Sequence, residues 1–191
     1  DRILEAAGVD YNGRIVVLNP GGNWDPKKWP ADKFAKLADR LVKKYGVITL
    51  ITGAKKDNAL TDEICRGMKN KAISICGKTK IRELASIFKR AKLVISGDSG
   101  PMHIAVGVGA SVVALFGPTS ADITGPYGKG NYTVIKKDID CDIPCYDFTC
   151  NDNKCMKAIS VEDVLDVIEK QGYLRERAKT TSVGEIADKR Q

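Results

Sequence analysis

Residues 14–30, RIVVLNPGGNWDPKKWP, decide the reading of the fold. RIVVLN is an apolar run that stops at Pro20, Gly21 and Gly22, residues that break regular structure. Past Pro30 the period changes. Phe34, Leu37, Ala38, Leu41 and Val42 fall at i, i+3, i+4, i+7 and i+8, one face of a helix. Residues 47–52, VITLIT, then form a second apolar run, ended by Gly53. A buried strand, an amphipathic helix and another buried strand with short connections make a parallel βαβ unit.

The same rhythm extends outward. A helix is expected around Leu60, Ile64 and Met68, a third strand over residues 72–76, and a helical face from Ile81, Leu84, Ala85 and Phe88. Residues 93–96 and 112–116 read as two more strands, with a short helix from about Met102 between them. After Pro118 the pattern weakens until Val161, Val164, Leu165 and Ile168 mark a last helix. The expectation is an α/β, doubly wound, Rossmann-like parallel sheet. Residues 14–171 form the domain, with a Cys-rich loop over 138–158 and a C-terminal tail over 172–191. Residues 1–13 read as the end of an interdomain linker. Residues 1–8 look like the tail of a helix without its beginning, so a further N-terminal portion is expected.

With 191 residues, 43% of them hydrophobic and 29% charged, the chain has an ordinary globular composition. Its net charge of +7 favours anionic partners or simple solubility. Aromatic residues make up only 6% and do not interleave with basic ones, which speaks against a nucleic-acid stacking platform. No apolar stretch approaches a membrane span, and no signal-peptide pattern opens the sequence.

Ligands of doubly wound sheets bind beyond the carboxyl ends of the strands, so the loops there carry the function. They are PGGNWDPKKWP (20–30), GAKKD (53–57), CGKT (76–79), GDSGPMH (97–103) and FGPT (116–119). Small residues let a phosphate approach the backbone, and lysines supply charge beside it. In GDSGPMH a strand ends and a helix begins, which points the free N–H groups of the first turn at the crevice. Ser99 suits the N-cap, Gly100 leaves room for a diphosphate, and Pro101 fits the first turn. A plain capped helix start reads equally well from this pattern. His103, the only histidine, has no partner cluster for a metal and can simply pack or cap. Lys27 and Lys28 offer phosphate contacts or form a solvated surface pair, and Trp29-Pro30 reads as a hydrophobic staple into the helix. Neither G-x-x-x-x-G-K-[ST] nor G-x-G-x-x-G occurs, which disfavours a P-loop ATPase and a standard dinucleotide dehydrogenase.

The ordered series PGG…KKWP, ITGAKKD, CGKT followed by IRELA, VISGDSGPMHIAVGVG and VVALFGPT resembles the C-terminal domain of the family-9 glycosyltransferases, the lipopolysaccharide heptosyltransferases. The resemblance runs from about Arg14 to Glu169. It implies the donor-binding half of a two-domain GT-B enzyme that transfers heptose from ADP-heptose to the lipopolysaccharide inner core, with inversion and no required cofactor. It also implies that the acceptor, lipid A with its core, and the catalytic base belong to the other half. The implied setting is the cytoplasm, with peripheral contact at the inner membrane and no nucleic-acid partner. By position, Lys27 would contact donor phosphate, and Gly21 and Gly22 would do so through backbone where some members carry hydroxyl residues. Asp57 would meet the ribose, and Cys76, Gly77, Lys78 and Thr79 would form part of the adenine pocket. Asp98 would face the sugar as the catalytic candidate, with Ser99, Gly100, Met102 and His103 around the diphosphate. The alternatives are another nucleotide sugar on the same scaffold, or a non-catalytic nucleotide-binding module. A sugar-facing acid such as Asp98 favours the enzyme.

Cys65 and Cys76 fall in the body of the domain and read as small core residues. Cys141, Cys145, Cys150 and Cys155 are spaced Cys-x3-Cys-x4-Cys-x4-Cys. This even spacing lacks the paired units separated by a long loop that zinc sites favour, and a cytoplasmic setting disfavours disulfides. Reduced or adventitiously oxidised cysteines with no metal are expected, with a zinc site as the alternative. Similar cysteines occur in this loop in some members of the resembled family.

Overall fold

The computed structural model describes residues 2–10 and 13–175. Residues 176–191, most of the expected tail, lie outside the described residues, as do 1, 11 and 12. In chain order the elements are α1 (Arg2–Ala6), β1 (Ile15–Asn19), α2 (Ala31–Tyr45), β2 (Ile48–Ile51), α3 (Asn58–Gly67), β3 (Ile73–Ser74), α4 (Ile81–Arg90), β4 (Leu93–Gly97), α5 (Gly100–Gly107), β5 (Val112–Leu115), α6 (Ala121–Thr124), β6 (Tyr132–Ile135), α7 (Lys154–Ala158) and α8 (Val161–Gln171). The strands form one parallel sheet in the order β3-β2-β1-β4-β5-β6, the doubly wound arrangement expected. The order reverses between β1 and β4, which places the crevice between the loops that leave those two strands.

Alternating residues of the central strands feed two cores. Val16, Leu18, Leu93, Ile95, Val113 and Leu115 pack with α2, α3 and α8 on one face. Ile15, Val17, Val94, Val112 and Ala114 pack with α1, α4 and α5 on the other. Burial on both faces explains why these strands read as continuous apolar runs. Trp29 acts as the staple expected of it. It sits edge-on to Phe34 with ring centroids 4.9 Å apart, and its Nε1–H donates to Ile159 O at 3.0 Å. Gly46 ends α2 with a φ of 61°, a left-handed cap that glycine adopts without strain.

Several expectations are corrected by the structure. The sixth strand, β6, was not expected, and only its Ile135 is buried, which leaves its apolar signal weak. The short helices α6 and α7 fall in the stretch read as irregular. The third strand narrows to Ile73–Ser74, as befits an edge strand with one hydrogen-bonded neighbour. Ile81 is 72% exposed at the start of α4, and the buried face of that helix runs through Ile87 and Phe88. Leu4 and Val9, in the presumed linker, are buried in the second core, and Leu174 is buried beyond the presumed domain end.

Candidate functional site

A cavity of about 450 Å³ opens at the carboxyl ends of β1, β2 and β4. The loop after β1 supplies one wall with Gly21, Gly22 and Lys27, held by a 3-10 turn over Asp25–Lys27. Asp57 comes from the loop after β2, and Asp98, Ser99, Gly100 and His103 from the start of α5. Eight of the expected site residues therefore line one space: Gly21, Gly22, Lys27, Asp57, Asp98, Ser99, Gly100 and His103.

Lys27 Nζ lies 2.7 Å from Asp98 Oδ2, and Thr124 Oγ1 in α6 donates to the same oxygen at 3.0 Å. Both charges are largely shielded from water, with side-chain exposures of 15% for Lys27 and 7% for Asp98. Desolvating two ions costs several kcal/mol and is offset only by good mutual geometry, so this placement demands a reason. The Lys27 ammonium also lies 4.4 Å from the centroid of Trp24, a cation–π contact. The contacts of Asp98 Oδ2 are thus to Lys27 and Thr124 rather than to the amides of α5.

Asp57 ends a 3-10 turn, and its Oδ2 accepts from the Ala54 N–H at 2.9 Å. Its Oδ1 is buried without a hydrogen-bond partner. A buried carboxylate oxygen left unpaired is costly. A Cβ at Gly21 would come within 2.5 Å of Asp57 Oδ2, so only glycine permits this close approach.

Other expected residues lie elsewhere. Met102 is fully buried in the second core, packed beneath the cavity, and is not part of its wall. Cys76 is buried, donates its thiol to Ala54 O at 3.0 Å, and has its pKa pushed up by burial. Gly77, at φ 70°, packs against Lys55, and the turn of Gly77, Lys78 and Thr79 stands behind the β2 loop, outside the cavity. Ser99 takes the N-cap position of α5, but its side chain caps nothing. Sequence reasoning missed Asn19, Trp24 and Thr124, all of which line the cavity. Asn19 had a signal: a polar residue ending a buried apolar strand.

Cys141, Cys145, Cys150 and Cys155 line a small apolar space of about 50 Å³ with Pro26 and Pro118. Burial pushes the Cys155 thiol up. Among the described residues no three His, Cys, Asp or Glu side chains form a group that could hold a metal ion. The Cys-rich loop meets the cavity through its aromatics: Phe148 stands edge-on to Trp24 at 4.2 Å between centroids, and Tyr146 at 6.5 Å.

The family model for glycosyltransferase family 9 (heptosyltransferase) matches residues 3–156. Lipooligosaccharide heptosyltransferase 2 of Campylobacter jejuni is 35% identical over 166 residues, covering 83% of this chain and 52% of that protein. Lipopolysaccharide heptosyltransferase 3 of Escherichia coli is 33% identical over 178 residues, covering 88% of this chain and 49% of that protein. The solved structure of the family 9 glycosyl transferase from Veillonella parvula aligns with a TM-score of 0.79 at 28% identity, over 89% of this chain and 49% of that one. The chain spans about half the length of the curated relatives it matches.

Proposed function

The chain belongs to glycosyltransferase family 9, and from that premise we propose that its crevice holds ADP-heptose for transfer of heptose to the lipopolysaccharide inner core. The observation that carries this reading is the shielded Lys27–Asp98 pair beside the N-terminus of α5. A diphosphate set there meets the backbone amides of Ser99 and Gly100, the positive end of the helix dipole and the Lys27 ammonium. The unpaired Asp57 oxygen suits a ribose hydroxyl, which is a donor. Asp98 faces the same space and accepts from sugar hydroxyls while it holds Lys27.

Departure of ADP from the anomeric carbon places negative charge on the diphosphate and positive character on the sugar ring. Fixed amides and a pre-oriented cation stabilise that leaving group, while the Asp98 carboxylate is matched to the ring. The base that deprotonates the acceptor hydroxyl, and the lipid A–core acceptor itself, belong in this reading to a second domain facing the crevice. Among the described residues no helix is long and apolar enough to cross a membrane. In this reading the reaction runs at the cytoplasmic face of the inner membrane, where the acceptor lipid would be met by peripheral contact.

Thermal unfolding with ADP and with UDP tests the donor. ADP at 100 times its dissociation constant should add about 2.7 kcal/mol, a clear rise in Tm, and UDP distinctly less. Equal shifts, or none, would overturn the assignment.

A further inference from the structure

The two lysines of the loop after β1 are each met by the residue three places earlier in the chain. Lys28 pairs with Asp25 at 2.7 Å, a carboxylate whose side chain is 91% exposed. Lys27 meets Trp24, with its ammonium 4.4 Å from the ring centroid. The turn that joins them is closed by the Lys27 N–H, which donates to Trp24 O at 3.2 Å. Trp24 and Lys27 both line the crevice. The Trp24 ring is backed in turn by the Cys-rich loop. Phe148 packs edge-on against it, with centroids 4.2 Å apart and planes at 69°, and Tyr146 stands further off at 6.5 Å. With exposures of 56% and 64%, these two rings bury too little to serve the core. Their loop is nonetheless pinned. The Cys145 N–H donates to Pro118 O at 2.7 Å, and Asn153 Nδ2 donates to Lys28 O at 3.2 Å. Asp147 Oδ1 accepts from the N–H and the hydroxyl of Thr149 at 3.0 and 2.8 Å, which fixes the turn around Phe148.

We infer that Trp24 is a positioning residue for Lys27 and that Phe148 sets the plane of its ring, so that the Cys-rich loop tunes how the crevice holds a diphosphate. The inference rests on the donor-site reading above. Lys27 has two attractors of different kinds. Asp98 draws the ammonium with a full charge, but that charge also repels an incoming diphosphate. The ring face of Trp24 draws it through a quadrupole and carries no net charge, so it holds the cation without discouraging the anion. A lysine stem has much rotamer freedom to lose when phosphate fixes it, and a ring that already confines the ammonium reduces that loss. In this role Trp24 acts through Lys27 and not on the nucleotide.

The test is calorimetric titration of ADP, inorganic pyrophosphate and adenosine into wild type, Trp24→Leu, Trp24→Phe, Phe148→Ala, Lys27→Met and the Trp24→Leu/Lys27→Met pair. Trp24→Leu should weaken ADP and pyrophosphate about fivefold, and Trp24→Phe, which keeps a ring face, about twofold. Phe148→Ala should also cost about twofold. Adenosine, which carries no phosphate, should bind all three as it binds wild type. In the Lys27→Met background Trp24→Leu should cost nothing further, because the cation it positions is gone. A loss of adenosine affinity in Trp24→Leu, or a loss of ADP affinity that persists without Lys27, would mean that the ring stacks on the ligand or merely shapes the loop, and overturns the inference. Without ligand, the last methylene of Lys27 should resonate upfield in NMR spectra, under the ring current of Trp24, and move back in Trp24→Leu. An ordinary lysine position in wild type equally overturns the inference. A wild-type chain that binds neither ADP nor pyrophosphate overturns the donor reading instead, and the ring-current arm still decides whether Trp24 holds Lys27. Should Trp24→Leu fold poorly, Trp24→Phe and the exposed-site variant Phe148→Ala carry the affinity test, and wild-type ADP affinity in both would sink the proposal.

Discussion

Two of the hollows that bring lysines and carboxylates together on this domain differ in how they treat charge. The crevice at the strand ends has a volume of about 450 Å³ and one lysine–carboxylate pair, Lys27–Asp98, nearly closed to water. The groove between α2 and the start of α8 is larger, about 650 Å³, and carries Lys33, Lys36, Arg40, Lys43 and Lys69. Its pairs are wet: Lys36–Asp32 has exposures of 68% and 61%, and Arg40–Glu162 of 57% and 69%. The same chemical groups therefore have different worth. In the groove, water screens each charge and the pairs contribute little. In the crevice, each ion relies on its partner, because the solvent that would replace it has been excluded. The larger hollow is thus the wetter one.

That comparison can be broken most directly at Lys27. Lys27→Met should destabilise the unliganded domain by about 3 kcal/mol in urea unfolding, because Asp98 keeps only Thr124. Adding Asp98→Leu should recover most of the loss. A Lys27→Met variant as stable as wild type would show the crevice pair to be as well hydrated as the groove pairs.

A middle case lies at the head of α8. Ser160 and Asp163 cap each other's backbone, with Asp163 Oδ2 accepting from the Ser160 N–H at 2.8 Å. Burial pushes the Asp163 carboxyl up, but hydrogen bonds from Lys137 and Ser160 outweigh it and hold the carboxyl below the usual range. A depressed folded-state pKa contributes stability above the unfolded value of about 3.9, lost as pH falls through the folded value. Wild type should exceed Asp163→Asn by about 1 kcal/mol near neutrality, with the gap closing in acid. A gap that persists at pH 2 would assign the effect to packing. The smallest change is expected in the groove, where Arg40→Ala should move stability by less than about 0.5 kcal/mol and fade further in salt. A loss above 1 kcal/mol there would erase the contrast.

Much of this was legible in the residues. Strands β1, β2, β4 and β5 declared themselves because both their faces are buried, which forces unbroken apolar runs such as Val16-Val17-Leu18. Strand β6 stayed hidden because Tyr132, Thr133 and Val134 are only half-buried at the sheet edge. For the site, loops that follow strands expose their chemistry in order, so Gly21, Gly22, the Lys27–Lys28 pair and Ser99 could be singled out by loop, while the choice of Lys27 and the role of Asp98 came from the family resemblance. Thr124 could not, since its bond to Asp98 depends on where the four-residue α6 comes to rest. Met102 was misplaced for the converse reason. It belongs to a phosphate-loop motif by sequence, but the helix turns it into the core.

The tie between Trp29 and Ile159 has a consequence for how the domain is made. The loop after β1 and the first turn of α2 are fastened by Trp29 Nε1 to Ile159 O at 3.0 Å, by Asn153 Nδ2 to Lys28 O at 3.2 Å, and by Lys33 Nζ to Ile159 O at 2.7 Å. Every one of these fasteners spans more than 120 residues of chain. Contacts of such long sequence separation close late, after the loop-closure entropy has been met by nearer ones. A ribosome delivers this loop well before its anchors, so until residue 159 has emerged the nascent chain lacks these three fasteners. A chain stalled there would also lack α8, whose Val161, Val164, Leu165 and Ile168 close one face of the sheet, so the wall of the crevice and that core are completed together.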